Sequence, residues 1–350
     1  MQSNLSSNSN IYINNISKPF FILAPMDDVT DLVFRQIVIN NSPADLYMTE
    51  FVNVDGLMSP GRNKLLTKLR FSQNEKSLIA QIWGKDPGNF FKVSKQIAGG
   101  TLAKELGLPI DHNYIGVDLN MGCPQKNEVN SGTCAALMNN RSLAEEIISS
   151  TKKGIGNKLP LSVKTRLGYN EIDLSWIEFL LNQKLAMLTI HARTKKEKSK
   201  TTAHWEVFDK IINLRNRISP STLIVGNGDV KNKTHGLALA KQYRLDGIMI
   251  GRGLFDDPFA FNIISPWSNY TVNQKLNLYK EHINLFSKTW KNNERPIQTL
   301  NKFCKVYISG FYGAKELREK LMKLRSTNEL KNLINLELKN QAAVASSIIS

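Results

Sequence analysis

Short runs of β-branched and apolar residues recur along the chain, and each is followed by a longer stretch whose apolar positions repeat at helical spacing. The runs span residues 20–26, 46–51, 78–84, 114–122, 159–168, 187–194, 222–230 and 247–255, so their starts lie 25 to 45 residues apart. Helical patterns fall between them at 31–40, 89–106, 142–153, 174–183 and 234–243. Eight strand-like runs alternating with helices predict an α/β protein built as a (β/α)₈ TIM barrel, rather than a doubly wound sheet.

The barrel would occupy residues 18–265, close to the roughly 250 residues typical of that fold. Residues 266–270, Pro-Trp-Ser-Asn-Tyr, read as a linker. Beyond it Gly and Pro are scarce, and Leu276, Tyr279, Ile283 and Phe286 recur at helical spacing, so 270–340 reads as a small all-helical C-terminal domain. Residues 1–17, mostly Asn, Ser and Ile, and the uncharged 341–350 read as frayed tails. The first seventeen residues lack the basic and apolar regions of a signal or transit peptide.

Charge changes this picture. The chain carries 46 Lys and Arg against 30 Asp and Glu, a net +16. Residues 270–350 hold 14 basic and 6 acidic residues, half of that excess, so a polyanionic partner becomes plausible beside the plainer reading of solvated lysine-rich faces. Three cysteines, Cys123, Cys134 and Cys304, are odd in number and lack zinc-ligand spacing. They argue against a disulfide scaffold or a metal site and fit a reduced, cytoplasmic setting. No stretch approaches the roughly 18 apolar residues of a membrane span.

In such a barrel the reacting groups lie at the C-terminal strand ends, and polar residues accumulate there. The first run ends Ala24-Pro25-Met26-Asp27-Asp28, the third holds Gln81, and the fourth ends Asn120-Met121-Gly122-Cys123-Pro124. Lys164 and Arg166 stand two apart and so share one face of their strand, as do His191 and Arg193. The seventh and eighth runs end Gly226-Asn227-Gly228-Asp229 and Gly251-Arg252-Gly253; these are either tight turns or, taken together, a phosphate site. Lys164 lies in an otherwise apolar strand, where a lysine is costly without a polar or anionic partner. Cys123, on a constrained turn at the mouth, is placed to react, whereas Cys134 and Cys304 are expected to be structural.

Seven motifs, in order, resemble the flavin-dependent tRNA-dihydrouridine synthases: APMDDVTDLVFR (24–35), QIWG (81–84), GVDLNMGCPQKNEVNSGTCAALM (116–138), SVKTRLG (162–168), LTIHART (188–194), GNGDV (226–230) and DGIMIGRGLFDDP (246–258). The resemblance implies FMN at the barrel mouth, with Pro25, Met26 and Asp27 along one side, Gln81 and Lys164 bonding the ring system, and His191 near the ring or phosphate. It implies Asn227, Gly228, Asp229, Gly251 and Arg252 at the ribityl phosphate, Asn120 at the target uracil and Cys123 as proton donor. Arg166 and Arg193 are expected to contact substrate or RNA, and the C-terminal domain to grip tRNA.

The implied reaction adds a hydride to C6 of uridine from reduced FMN, recharged by NADPH or NADH, and a proton to C5 from Cys123. For that role an apolar surround that keeps the thiol protonated is expected. Between His191 and Trp205 this chain departs from the pattern, reading KKEKSKTTAHW with Ser199, Thr201 and His204 where the family often has an aromatic residue and a glycine. Two other functions stay open on the sequence: a flavin barrel acting on a free pyrimidine or other small unsaturated substrate, and an RNA-binding protein with vestigial chemistry. A monomer acting on one tRNA is expected.

Overall fold

The computed structural model describes residues 16–108, 113–292 and 294–349, with side chains as far as residue 341. Eight parallel strands close on themselves: β1 (Phe20–Leu23), β2 (Leu46–Met48), β3 (Leu78–Trp83), β4 (Gly116–Met121), β5 (Leu161–Arg166), β6 (Met187–His191), β7 (Leu223–Asn227) and β8 (Gly247–Ile250). Each pairs with the next, and β8 pairs with β1 to complete the barrel. A two-residue extension, Val52–Asn53, adds a second pairing to β3.

Six outer helices matter for the argument: α1 (Leu32–Asn41), α2 (Pro87–Ala98), α3 (Arg141–Ile155), α4 (Leu174–Asn182), α5 (Phe208–Ile218) and α6 (Lys233–Tyr243). Asp31, Asp86, Asn140, Asp173 and Asn232 each cap the helix that follows by accepting a main-chain N–H of its first turn. The pattern expected as one helix over 89–106 is instead two, because Gly100 (φ +72°) breaks the chain after α2 before Thr101–Glu105 resumes.

The barrel interior is divided. It holds a buried apolar cluster of Phe20, Ile22, Leu46, Met48, Ile79, Met187, Leu223, Val225 and Met249, drawn from β1, β2, β3, β6, β7 and β8. Gly247 makes room for Phe20, whose ring lies 2.6 Å from where a Cβ would stand. Beyond Ile79 and Met187, the inward positions of β3 to β6 are polar. Gln81 registers with Asp118 and Asp118 with Ser162, while Asn120 registers with Lys164 and Lys164 with Thr189. The outward residues of the same strands join the core beneath the helices.

The helical domain contains α7 (Val272–Thr289), α8 (Ala314–Lys323) and α9 (Thr327–Ile349). Thr271 and Gln274 form a capping box at the start of α7, and Leu276, Tyr279, Ile283 and Phe286 are buried as their spacing predicts. The expected linker is packed rather than free: Trp267 is buried against Phe259, Tyr270 and Tyr307. Nor does the helix end at 340; α9 continues to Ile349, since the uncharged run contains neither Gly nor Pro to stop it. The N-terminal stretch expected to fray lies, up to residue 15, outside the described residues.

Barrel and helical domain share one apolar core, and a charged cluster fastens them. Arg295, with its side chain 5 % exposed, pairs with the fully buried Glu50 and lies 3.4 Å from Asp31. Trp290 Nε1 donates to Asp31 Oδ2 at 3.0 Å, and Arg70 and Arg295 both lie 5.2 Å from the Trp290 ring. Removing the cation leaves two buried carboxylates facing each other, which typically costs about 3 kcal/mol or more. Arg295→Ala is therefore expected to destabilise the protein by that amount in urea unfolding, whereas removing an exposed arginine such as Arg217 changes it little.

Candidate active site

The C-terminal strand ends open into one cavity of about 870 Å³. Every site residue expected from the sequence lines it except Arg193. Arg193 is 2 % exposed, and its guanidinium is taken by Thr201 O (2.8 Å from Nε), His191 Nε2 (3.2 Å from Nη1) and the Asp229 carboxylate. In this structure it buttresses the cavity wall. Arg166 does reach the cavity, yet its donors serve main-chain carbonyls: Gly122 at 2.8 Å, Thr194 at 3.2 Å and Lys198 at 2.9 Å. Both arginines thus hold loops, and of the two expected to contact substrate or RNA only Arg166 lines the cavity.

Beneath the cavity lies a hydrogen-bonded network centred on Asp118, which the sequence reading did not single out. Gln81 Nε2 donates to Asp118 Oδ2 at 2.7 Å and Ser162 Oγ to Oδ1 at 2.5 Å. Asn120 Nδ2 donates to Gln81 Oε1 at 3.2 Å, while Asn120 Oδ1 accepts the N–H groups of Gly122 (3.1 Å) and Cys123 (3.0 Å). One chain of bonds therefore runs from the barrel centre to the turn that carries Cys123. Burial pushes the Asp118 carboxyl up to about 6, against the pull of Ser162 and Gln81. The signal for Asp118 was the two-residue alternation that also turns Asn120 inward.

Lys164 is half-buried at the cavity floor and donates to Asn227 Oδ1 at 3.3 Å. Asn227 is itself held by donating to Met249 O at 2.9 Å. Burial, and then Arg166, push the Lys164 ammonium down to about 8. Burial and the neighbouring Arg166 and Lys164 hold the His191 imidazole well below its usual value, so it is neutral at pH 7. The floor is therefore a cation with spare donors beside a neutral ring, suited to carbonyl oxygens and developing negative charge on a planar ligand.

The far rim suits a phosphate. Gly228 has φ +132°, and a Cβ there would stand 3.1 Å from Ala203 Cβ; one on Gly251 would stand 3.2 Å from Ala24 Cβ. Arg252, 58 % exposed, donates to Asp229 Oδ1 at 2.8 Å. Asp229 thus uses its carboxylate to place Arg252 and Arg193, and has only its main chain to offer an anion. On the opposite rim the carboxylates of Asp27, Asp28 and Glu50 converge within 4.8 Å, and each is already met by a cation, Lys68, Lys302 or Arg295.

The divergent loop after His191 is built, not free. Glu197 accepts from Thr194 N (2.7 Å), Thr194 Oγ1 (3.0 Å) and His204 Nε2 (2.7 Å). Burial opposes its charge, but the His204 and Thr194 bonds prevail and hold it at about 2. The hydrogen bond to Glu197 in turn raises His204. Lys195 Nζ sits 4.2 Å over the Tyr169 ring, Trp205 Nε1 donates to Gly228 O at 3.1 Å, and Ser199 reaches the cavity wall.

Cys123 is 9 % exposed and lies with Cys134, Phe51 and Trp83 in one small cluster. Its thiol is lowered, first by the neighbouring Cys134 side chain, against burial, and further by the Gln125 main chain and Arg166. This reverses the expectation of an apolar surround that raises it, and Cys134, expected to be merely structural, is the cause. Cys304 lies instead in the helical domain's core, 3.1 Å from Tyr279 Oη.

The chain matches the family described as dihydrouridine synthase (Dus) over residues 22–345. It is 42 % identical over 325 residues to a probable tRNA-dihydrouridine synthase of Staphylococcus aureus (strain MRSA252), covering 92 % of this chain and 94 % of that one. A probable tRNA-dihydrouridine synthase 2 of Bacillus subtilis (strain 168) is 41 % identical, covering 91 % of this chain and 94 % of its own length.

The Lys164 shift has a consequence for stability. Between about pH 8 and 10.5 the unfolded lysine is charged while the folded one is neutral, so the fold gains stability as pH rises through that window and carries the full penalty below it. Lys164→Met is expected to stabilise the ligand-free protein at pH 7 by on the order of 2 kcal/mol, and to weaken binding of a flavin at least ~10-fold. Urea unfolding and fluorescence titration check the two effects. The loop gives a second expectation: because His204 is raised by Glu197, the loop is held best below pH 6.5 and loosens as His204 loses its proton. Hydrogen exchange in residues 195–204 should quicken across that range beyond its intrinsic pH trend, and His204→Ala should remove the excess.

Proposed function

The chain belongs to the dihydrouridine synthase family, and from that premise we propose that it reduces specific uridines of tRNA to 5,6-dihydrouridine, with FMN as bound cofactor and NADPH or NADH as reductant. The observation that carries this reading is a half-buried ammonium, Lys164, with spare donors in the same cavity as the thiol of Cys123. When bound, FMN supplies the hydride that reaches C6 of the uracil. Of the residues lining the cavity, Lys164 and Gln81 would hold its ring system, Pro25, Met26 and Asp27 would flank it, and the main chain at Gly228, Asp229 and Gly251 would take the phosphate with Arg252.

Cys123 donates the proton to C5, and its electron pair stays on sulfur. A thiol lowered toward the working pH is a better acid than one pushed up by burial, provided it is still protonated when the base arrives. Asn120 fixes the Cys123 turn through two main-chain N–H groups, which leaves Cys123 little freedom of direction. Arg166 closes the same turn from the other side through the Gly122 carbonyl. The network is thus preorganised to present one thiol to one base.

A uracil must leave its stack to enter a cavity of this depth, and the excess positive charge of residues 270–350 supports the grip on tRNA that this needs. A single chain carries both cavity and helical domain, which supports a monomer acting on one tRNA. Nucleoside mass spectrometry of unmodified tRNA incubated with protein, FMN and NADPH tests the reading. The wild type should add two hydrogens to uridine, and Cys123→Ala should keep its flavin but lose at least ~100-fold in rate. Bound flavin and oxidised NADPH without dihydrouridine would overturn the tRNA substrate; full activity in Cys123→Ala would overturn the proton donor.

A further inference from the structure

Cys134 stands in a backbone conformation that disfavours it. Its φ is +52°, in the left-handed region where any residue with a Cβ is strained and glycine is the usual occupant. It is nevertheless fully buried, in the cluster it shares with Cys123, Phe51 and Trp83. The main chain ties the two cysteines together as well, since Ala135 N donates to Cys123 O at 3.3 Å. A glycine here would relieve the backbone strain and remove the buried CH2–SH group, thiol included. Strain retained beside a reacting group points to what that thiol does.

We propose that Cys134 is a positioning residue for the proton donor: its S–H donates a hydrogen bond to Cys123 Sγ and holds the thiolate left when Cys123 gives its proton to the base. This rests on Cys123 being the proton donor. The proton leaves Cys123 Sγ for C5 of the uracil and the electron pair remains on sulfur; no bond to Cys134 forms or breaks, and solvent restores the proton after the product departs. The other groups facing Cys123 divide. Arg166, Lys164 and the Gln125 main-chain N–H favour its thiolate, and Glu128 opposes it. Cys134 is held as a thiol by its own burial and by Cys123, so the donor and acceptor of the pair are fixed.

The test separates this role from packing, because glycine should move stability and chemistry in opposite directions. Cys134→Gly relieves the left-handed strain and is expected to raise the melting temperature. In the same variant the pH midpoint for alkylation of Cys123 by iodoacetamide, read by peptide mass spectrometry on the flavin-bound protein, should rise by about one unit. The dihydrouridine kcat should fall about tenfold with KM for tRNA unchanged. Cys134→Ser, which keeps a donor, should recover most of both. An unchanged alkylation midpoint in Cys134→Gly would overturn the proposal, as would a serine variant no better than glycine. A shifted midpoint in a protein whose wild type forms no dihydrouridine would instead sustain the thiol pair and overturn the proposed reaction.

Discussion

The structure depends on holding an ammonium group partly out of water, at the floor of the cavity. Lys164 projects from β5 into the barrel, and desolvating a lone charge there would be prohibitive without polar neighbours. The polar inward positions of β3 to β6 supply them, while Phe20, Ile22 and Met249, with Ile79 and Met187, fill the rest of the interior. Asp118 and Lys164 are displaced toward each other by burial, the carboxyl up and the ammonium down, yet Asp118 spends its oxygens on Gln81 and Ser162. The positive charge is therefore only partly compensated. With Arg166 and Arg252 nearby it keeps His191 neutral and leaves the cavity floor prepared for an anionic or strongly polar ligand.

The same economy appears where the two domains meet. Glu50 pairs with Arg295 of the helical domain through one oxygen, and through the other it accepts Asp28 N at 2.7 Å, next to Asp27 on the cavity rim. Burial, with Asp31 and Asp27 beside it, pushes the Glu50 carboxyl up to about 7, against the pull of Arg295 and Lys68. Phe303 stacks 4.9 Å from Phe34 of α1 and 6.1 Å from Phe255 at the mouth. The basic domain is thus registered against the rim by ion pairs and aromatic contacts, so a polyanion gripped by one is placed with respect to the other.

Much of this was legible in the sequence where the backbone is regular. Lys164 and Arg166, two apart, do point the same way, because β5 continues through both. The same argument failed for His191 and Arg193, because β6 ends at His191 and Arg193 N turns back to its carbonyl at 2.7 Å. Asp118 was readable by the alternation that places Asn120, but a carboxylate inside an apolar run draws the eye less than a cysteine at a turn. Cys134 could not be read at all. Its closeness to Cys123 comes from a left-handed turn after Gly132, and nothing local in a Gly-Thr-Cys-Ala string announces which residue adopts it.

The claim at the centre is that Lys164 waits, partly uncompensated, for the charge and acceptors of a flavin. Calorimetric titration of FMN into the ligand-free protein at pH 9, in buffers of different ionisation enthalpy, measures it directly. With the ammonium at about 8 before binding, most molecules have a neutral Lys164 at that pH, and binding should draw in a large fraction of a proton. At pH 6.5 that uptake should vanish, since the lysine is already charged. FMN binding with no proton uptake at pH 9 would contradict the account, because Lys164 would then take no part in holding the cofactor.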